Sequence, residues 1–454
     1  MKGEFAPAGT NIPGTGIDLK PGVIRGEESN GMLFSERELM LSEVHEGIID
    51  LPEDAPVGAQ YADYAGLDDP VIDVGVTPNR PDALGVYGIA RDLAAKGIGT
   101  LRPLAIEPVA GTFDSPIGVT LQFEDPDNSP CPLFVGRNFR GVKNGPSPEW
   151  MQNWLRAVGL RPISTLVDIT NYVTLAFGRP LHVFDADKVH GDIHARLARP
   201  GETMEALDGK TYTLDETMTV IADDNGPESI GGVIGGEASG CTEDTVNVFL
   251  EAAWFDPVRT AGTGRKLNVI TDARYRFERG VDPAFVQPGA EIATDLILQL
   301  CGGEASHLVI AGEPPLRNKS YTLRMNRVRT LAGVDIIPEE QIRILGDLGF
   351  AADWNEGDAT AEVHVPEWRP DIDGEADLVE EIVRIYGLDR IGHMQLPRLH
   401  TVTAKSIGLP QRRRFRAART LAARGLNEAV TWSFLPADQA DLFGGGQPEL
   451  KLAN

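Results

Sequence analysis

The stretch SIGGVIGGEASGCTEDTVNVFLEAAWF, residues 229–255, carries the reading on which the fold turns. Its front part, GGVIGGEASG (231–240), is a glycine cluster. It lacks the Gly-Lys-Ser/Thr ending of a phosphate loop, and no helical pattern follows, so its amides have no helix N-terminus to reinforce them. The cluster reads as a tight strand pair in which absent side chains let a backbone or a ligand come close. Its back part, NVFLEAAWF (247–255), reads as a buried strand. Upstream, TMEALDGKTYTL (203–214) is a hairpin about Asp208-Gly209 and TVIADD (219–224) a further strand.

Helices flank these strands. Ser147 and Pro148 open one that places Trp150, Trp154 and Val158 on a single face before Gly159. Another spans 287–301 and closes on Gly302-Gly303. Toward the N-terminus, residues 6–31 read as short strands between turns, and VIDVGVTP (71–78) as a buried strand. Asp82 then caps a helix bearing Val86, Ile89, Ala90 and Leu93 that Gly97 ends. Proline-spaced linkers occupy 101–116 and 313–320, and a third lies around Pro397 and Gly408-Leu409-Pro410. Short helices and strands fill the space between the last two, including EADLVEEIVRIYG (375–387). Beyond, a helix carries Arg412, Arg413, Arg414, Arg416, Arg419 and Arg424, and EAVTWSF (428–434) reads as a strand. The expected class is α+β and multidomain.

Composition narrows the options. The 454 residues suit about three domains, and 50 Gly with 32 Pro stay below disordered usage. A net charge of −25 argues against a whole-surface nucleic-acid binder and leaves room for a local basic face such as the arginine helix. Cys131, Cys241 and Cys301 form neither a disulfide framework nor a CxxC pattern, which fits a reducing cytoplasm. No membrane span and no secretory signal are visible in the sequence.

Two sets of side chains invite chemistry. His190 and His194 are four apart but sit in strand-like sequence without a third ligand, a weak zinc pattern. His182, among apolar neighbours in RPLHVFD, suits a core position as well as a catalytic one. Asp377, Glu380 and Glu381 share one helical face, and Asp371 precedes that helix. Like charges so spaced repel unless a cation sits among them, and magnesium takes carboxylate oxygens. Carboxylates also favour a first helical turn for its dipole alone, so spacing leaves both readings open.

Five runs together are distinctive: LVDITNYVTLAFGRPLHVFDADKV (166–189), IGGVIGGEASG (230–240), NVFLEAAWF (247–255), TDARYRFERGVDP (271–283) and VPEWRPDIDGEADLVEEIVRIYG (365–387). With them the chain resembles, from about residue 20 to 454, the β subunit of bacterial phenylalanyl-tRNA synthetase. That resemblance implies the tail of an OB-fold tRNA-binding module over 1–65, a small α/β segment and linker over 66–115, and a mixed α/β, B3/B4-type editing domain over 116–312. It further implies a winged-helix-like, B5-type α+β domain over 317–393 and, over 400–454, the start of a catalytically inert, class II synthetase-like antiparallel-sheet domain. A chain shortened at both ends follows from the same comparison.

The resemblance also implies a phenylalanine–tRNA ligase in which an α subunit binds ATP and charges tRNA(Phe) within an α2β2 heterotetramer. The β chain binds tRNA and hydrolyses tyrosine wrongly attached to it. His182, Glu251 and Thr271 are the implied editing residues, read as lying on a loop, a strand and a loop, with Gly235 and Ala273 lining the pocket. Asp371, Asp377, Glu380 and Glu381 are the implied magnesium ligands. A hydroxyl acceptor such as Glu251 would be left unpaired by phenylalanine, which disfavours the wrong substrate strongly. An autonomous trans-editing esterase and a non-enzymatic tRNA-binding scaffold are the competing readings.

Overall fold

The computed structural model describes the chain except residues 1–2, 4, 14, 42–43, 68–69, 126–127, 394–405 and 453–454. Pro397 of the third linker therefore lies outside the described residues. The chain divides into two compact units, 1–392 and 393–454.

In the first unit, residues 5–33 make three separate strand pairs. These are β1 (Phe5–Pro7) with β6 (Gly31–Leu33), β2 (Asn11–Ile12) with β3 (Ile17–Asp18), and β4 (Gly22–Ile24) with β5 (Glu27–Ser29). They close no barrel among the described residues, and Ala6, Ile12 and Phe34 are their small core. After the single-turn α1 (Tyr61–Tyr64), the expected strand at 71–78 is absent: Val71, Ile72 and Val74 are exposed and pair with no strand among the described residues. Alternating apolar residues need a neighbouring strand to become one. Asp82 is not a helix cap either. Gly85 precedes α2 (Val86–Ala95), while Asp82 takes two hydrogen bonds from Arg80, Nε–Oδ1 and Nη2–Oδ2, both 2.9 Å.

The centre of the unit is built from β7 (Val119–Gln122), β8 (Leu133–Arg140), α3 (Glu149–Ala157), α4 (Thr165–Phe177), β9 (His182–Asp185) and β10 (Ile193–Leu197). It continues through β11 (Thr203–Glu205), β12 (Thr211–Thr213), β13 (Thr219–Ala222), β14 (Pro227–Ile230), β15 (Ile234–Gly235) and β16 (Val248–Trp254). Then come α5 (Pro257–Leu267), α6 (Asp272–Phe277), α7 (Val286–Cys301), β17 (Glu304–Ala305) and β18 (Val309–Gly312). One sheet runs β17-β8-β16-β9 with β18 also on β8, and a second runs β15-β14-β13-β10-β7.

Period-two alternation explains the layering. Along β16, Val248, Leu250, Ala252 and Trp254 pack against Leu166, Ile169 and Val173 of α4 and Ala290, Ala293 and Ile297 of α7. Phe249 and Ala253 face the other way, into a core shared with Ile193, Ala195 and Ile221 of the second sheet. Gly136 on β8 makes room for that face, because a Cβ there would lie 2.4 Å from Cζ of Phe249. Helix α3 turns Met151 and Leu155 inward and leaves the face of Trp150, Trp154 and Val158 half exposed. Both stripes are apolar, so periodicity alone could not rank them.

The remaining part of the first unit contains β19 (Ser320–Arg324), α8 (Arg327–Ala332), α9 (Pro338–Asp347), β20 (Ala351–Asn355), β21 (Thr360–His364) and α10 (Glu375–Tyr386). Its antiparallel sheet, β19-β21-β20, and its helices share a core of Leu323, Ile344, Leu345, Val363, Leu378 and Ile382, joined by Ala95 of α2. The second unit holds α11 (Leu409–Ala423), the arginine helix, and α12 (Ala437–Leu442). The expected strand at 428–434 does not form; Val430 and Trp432 are exposed, with no partner strand among the described residues. All three cysteines are free, and no described helix is long and apolar enough to cross a membrane.

Candidate functional site

The same alternation that builds the core aims two polar side chains into it. Glu251 lies between Phe249 and Ala253 in β16, so it points toward the second sheet. His182, two before Phe184, points the same way, and the antiparallel register sets the two residues directly opposite each other. His182 thus opens a strand and is not on a loop.

Glycines complete the wall. Strand β15 pairs with β14 so that Gly235 faces Ser229, the tight strand pair expected from the sequence. A Cβ on Gly235 would sit 2.4 Å from Cε1 of His182, so only glycine leaves the imidazole where it is. Gly231 is constrained in the same way by Phe255, at 2.8 Å. Thr271 is the N-cap of α6: its hydroxyl donates to the Val233 carbonyl at 2.6 Å and accepts from the Arg274 amide at 3.1 Å. It therefore ties α6 to the glycine turn and does not itself line the cavity. Ala273 and Phe277 of that helix do, with Phe277 edge-on to Phe255 at 5.1 Å.

The structure brings His182, Gly235, Glu251 and Ala273 to one cavity of about 60 Å³, enough for a few waters. An aromatic side chain enters only if a wall gives. Leu207 is half exposed, and its Cδ1 lies 3.1 Å from the Gly235 Cβ position. Ser229, Phe255 and Phe277 line the cavity too and were missed from sequence. The alternation of β16 was the available signal that Glu251 and its apolar neighbours share a face.

Both polar groups are neutral at pH 7. Burial lifts the Glu251 carboxyl to about 8, with the Arg179 charge pulling the other way. Burial lowers the His182 imidazole to about 4. Glu251 Oε2 and His182 Nε2 are buried without a hydrogen-bond partner among the described residues. Such orphaned groups are costly and are satisfied by a ligand or water. Arg179, fully buried, donates to the Ala253 carbonyl, and burial brings its guanidinium down to about 10 against the pull of Asp282 and Glu251. Nearby Cys131 is no nucleophile, because burial pushes its thiol well up, away from thiolate. The arrangement can bind a hydroxyl-bearing group and orient water.

The acidic cluster is arranged otherwise than expected. Arg369 donates to Asp371 through Nε and Nη2, both at 2.8 Å, and through Nη1 to Glu381. Arg384 also holds Glu381, at 2.8 and 3.0 Å. Burial alone would raise the Glu381 carboxyl, yet these guanidinium hydrogen bonds bring it down to about 2. Asp377 accepts from the Asp373 amide at 2.8 Å, and Glu380 is exposed. Among the described residues no group of three or more His, Cys, Asp or Glu comes together to hold a metal ion, His190 and His194 included. Arginine holds Asp371 and Glu381, and as arranged the four carboxylates do not gather round one magnesium ion.

Residues 130–302 match the family described as B3/4 domain, and 321–388 that described as tRNA synthetase B5 domain. The phenylalanine–tRNA ligase β subunit of Cereibacter sphaeroides is 56% identical over 455 residues, covering 100% of this chain and 56% of that protein. That of Paramagnetospirillum magneticum is 57% identical over 456 residues, with the same coverage of both chains, 100% and 56%. The chain belongs to the phenylalanine–tRNA ligase β-subunit family. It spans about half the length of the curated family members it matches. An N-terminal fragment of the Pyrococcus horikoshii phenylalanyl-tRNA synthetase β subunit aligns at 19% identity and a TM-score of 0.36, over 68% of this chain and 84% of that one, too loosely to bear on the fold.

Proposed function

We propose that this chain is the editing part of a phenylalanine–tRNA ligase β subunit, hydrolysing tyrosine mischarged onto tRNA(Phe). In the assembled enzyme, an α2β2 heterotetramer in the cytoplasm, it supports the ATP- and magnesium-dependent attachment of phenylalanine by α. The observation that carries the reading is the facing pair His182 and Glu251, each with an unpartnered polar atom in a pocket that Gly235 keeps open. A protonated Glu251 offers both a donor and an acceptor to the tyrosine hydroxyl. Phenylalanine leaves both unmet, a mismatch worth up to about 10⁴–10⁵ in discrimination. His182, with a pKa near 4, is a poor proton acceptor at pH 7, so it orients water or the terminal ribose through Nε2. Thr271 contributes by holding the glycine turn in place.

Feeding tyrosyl-tRNA and phenylalanyl-tRNA to wild type and to Glu251→Ala tests this. Hydrolysis of the tyrosyl ester should fall while the phenylalanyl ester stays as poorly cleaved as before. Equal loss on both substrates refutes the discriminating role. An autonomous esterase acting in trans is favoured only if the chain hydrolyses tyrosyl-tRNA at the same rate with and without α.

A further inference from the structure

A second cavity, of about 430 Å³, lies in the first unit between α2, the end of α4, the 280–285 segment and the end of α9. It shares no lining residue with the editing pocket. Its size is within the range of small-molecule sites, roughly 300–1,000 Å³. Phe177 stands 6.3 Å from Tyr87 and 5.9 Å from Phe285, ring centre to ring centre, giving an aromatic wall. The Arg91 guanidinium carbon lies 4.3 Å from the Trp368 indole centre and 5.5 Å from the ring centre of Tyr87.

Two donors there have no partner among the described residues: Arg91 Nη1 and Trp368 Nε1, both buried. The nearest carboxylate oxygen to Arg91, Asp82 Oδ2, is 3.8 Å away and already accepts from Arg80 at 2.9 Å. Stacking on Trp368 explains where the guanidinium lies; it does not satisfy its N–H groups. Asp82, Asp282 and Asp347 also line the cavity, but Asp82 accepts from Arg80, Asp282 from the Ala284 amide and Asp347 from Arg343, so the donors left over are those of Arg91 and Trp368; with the aromatic wall they complement a ring joined to an acidic group.

We propose that this cavity binds a small aromatic acid, its carboxylate or phosphate on Arg91 and Trp368 and its ring against Tyr87, Phe177 and Phe285. Burial works against the Arg91 charge, Asp82, Asp282 and Asp92 offset this only in part, and an anionic ligand offsets it further. The shared chemistry has two sources, a free aromatic amino acid and a nucleoside monophosphate. The site does not depend on the editing assignment.

Calorimetric titration of the 454-residue chain with phenylalanine and, separately, with adenosine monophosphate is the test. One of the two should bind once per chain, and which one does identifies the acidic group. Arg91→Gln should weaken that binding about tenfold or more, since a charge-assisted pair is lost. Trp368→Phe, which keeps the ring and drops the N–H, serves if Arg91→Gln does not fold. Glu251→Ala should leave the affinity unchanged. Failure of both ligands to bind at about 10 mM, where even millimolar affinity would show, overturns the proposal. So does binding that Arg91→Gln and Trp368→Phe both leave unchanged, or binding that Glu251→Ala removes, which would place it in the editing pocket.

Discussion

At the residue scale, Glu251 and His182 give the fold a pH signature of their own. The Glu251 carboxyl is raised from 4.5 to about 8, so the folded state holds its proton more tightly than the unfolded chain. Its contribution to stability is full below pH 4.5 and drains away as the pH climbs through 8, by up to about 1.4 kcal/mol per unit. His182 acts in the opposite window: depressed from 6.5 to about 4, it costs stability as the pH falls from 6.5 toward 4. Glu251→Gln should therefore gain on wild type in melting temperature between pH 5 and 8.5; a constant difference across that range would show that Glu251 does not titrate as described. Gly235→Ala makes a steric prediction at the same spot. Its new methyl falls 2.4 Å from His182 Cε1, so tyrosyl-tRNA hydrolysis should drop, at a stability cost of about 1–3 kcal/mol for overpacking. Unimpaired hydrolysis by that variant would mean the imidazole is free to move.

At the element scale, the short helix α6 is anchored by one side chain. Thr271→Val removes both the cap and the hydroxyl bond to Val233, and should cost about 1 kcal/mol while slowing hydrolysis indirectly. Thr271→Ser, which keeps the hydroxyl, should restore both; failure to do so would point to packing of the methyl instead. The elements also show what the sequence could and could not tell. The hairpin about Asp208-Gly209, the glycine strand pair, β16 and α7 were legible because turn chemistry and burial agree locally. The runs at 71–78 and 428–434 carry the same strand-like alternation, but no neighbour arrives among the described residues. A strand is a property of two segments, and a single sequence displays only one. Within the pocket, the family resemblance supplied Glu251 and Gly235, whereas Ser229, Phe255 and Phe277 join it only through sheet pairing and stacking.

Across the first unit as a whole, the acidic cluster is part of a network that reaches far along the chain. Asp92 on α2 accepts from Arg384 on α10, 292 positions away, at 2.7 Å, and from Arg80 at 3.0 Å. Lys96 donates to the Ile385 carbonyl at 2.6 Å, closing the same seam. What the sequence did not show is that Arg369 and Arg384 hold two of the four carboxylates, Asp371 and Glu381. Glu381→Gln should accordingly destabilise the unit, by about 1–3 kcal/mol, because it removes the charge of a buried carboxylate shared by Arg369 and Arg384, which keep Asp371 and Asp92. If repulsion dominated instead, Asp377→Asn with Glu381→Gln would leave the metal-free chain no less stable than wild type, so a thermal melt separates the two. Magnesium titrated into this chain should reveal no site that Asp377→Asn removes; a stoichiometric site abolished by that change would restore the metal reading.

The opposition of Glu251 and His182 has a further consequence, because a strand register is an all-or-nothing quantity. If β9 slid by one residue along β16, His182 would swing to the helix side and Val183 would take its place. A misregistered molecule would then bury an imidazole in the aliphatic layer and present an isopropyl group to the substrate. If the pocket edits as proposed, a chain that hydrolyses tyrosyl-tRNA has this strand pair in register, and an insertion or deletion that shifts the strand should be read out as lost activity.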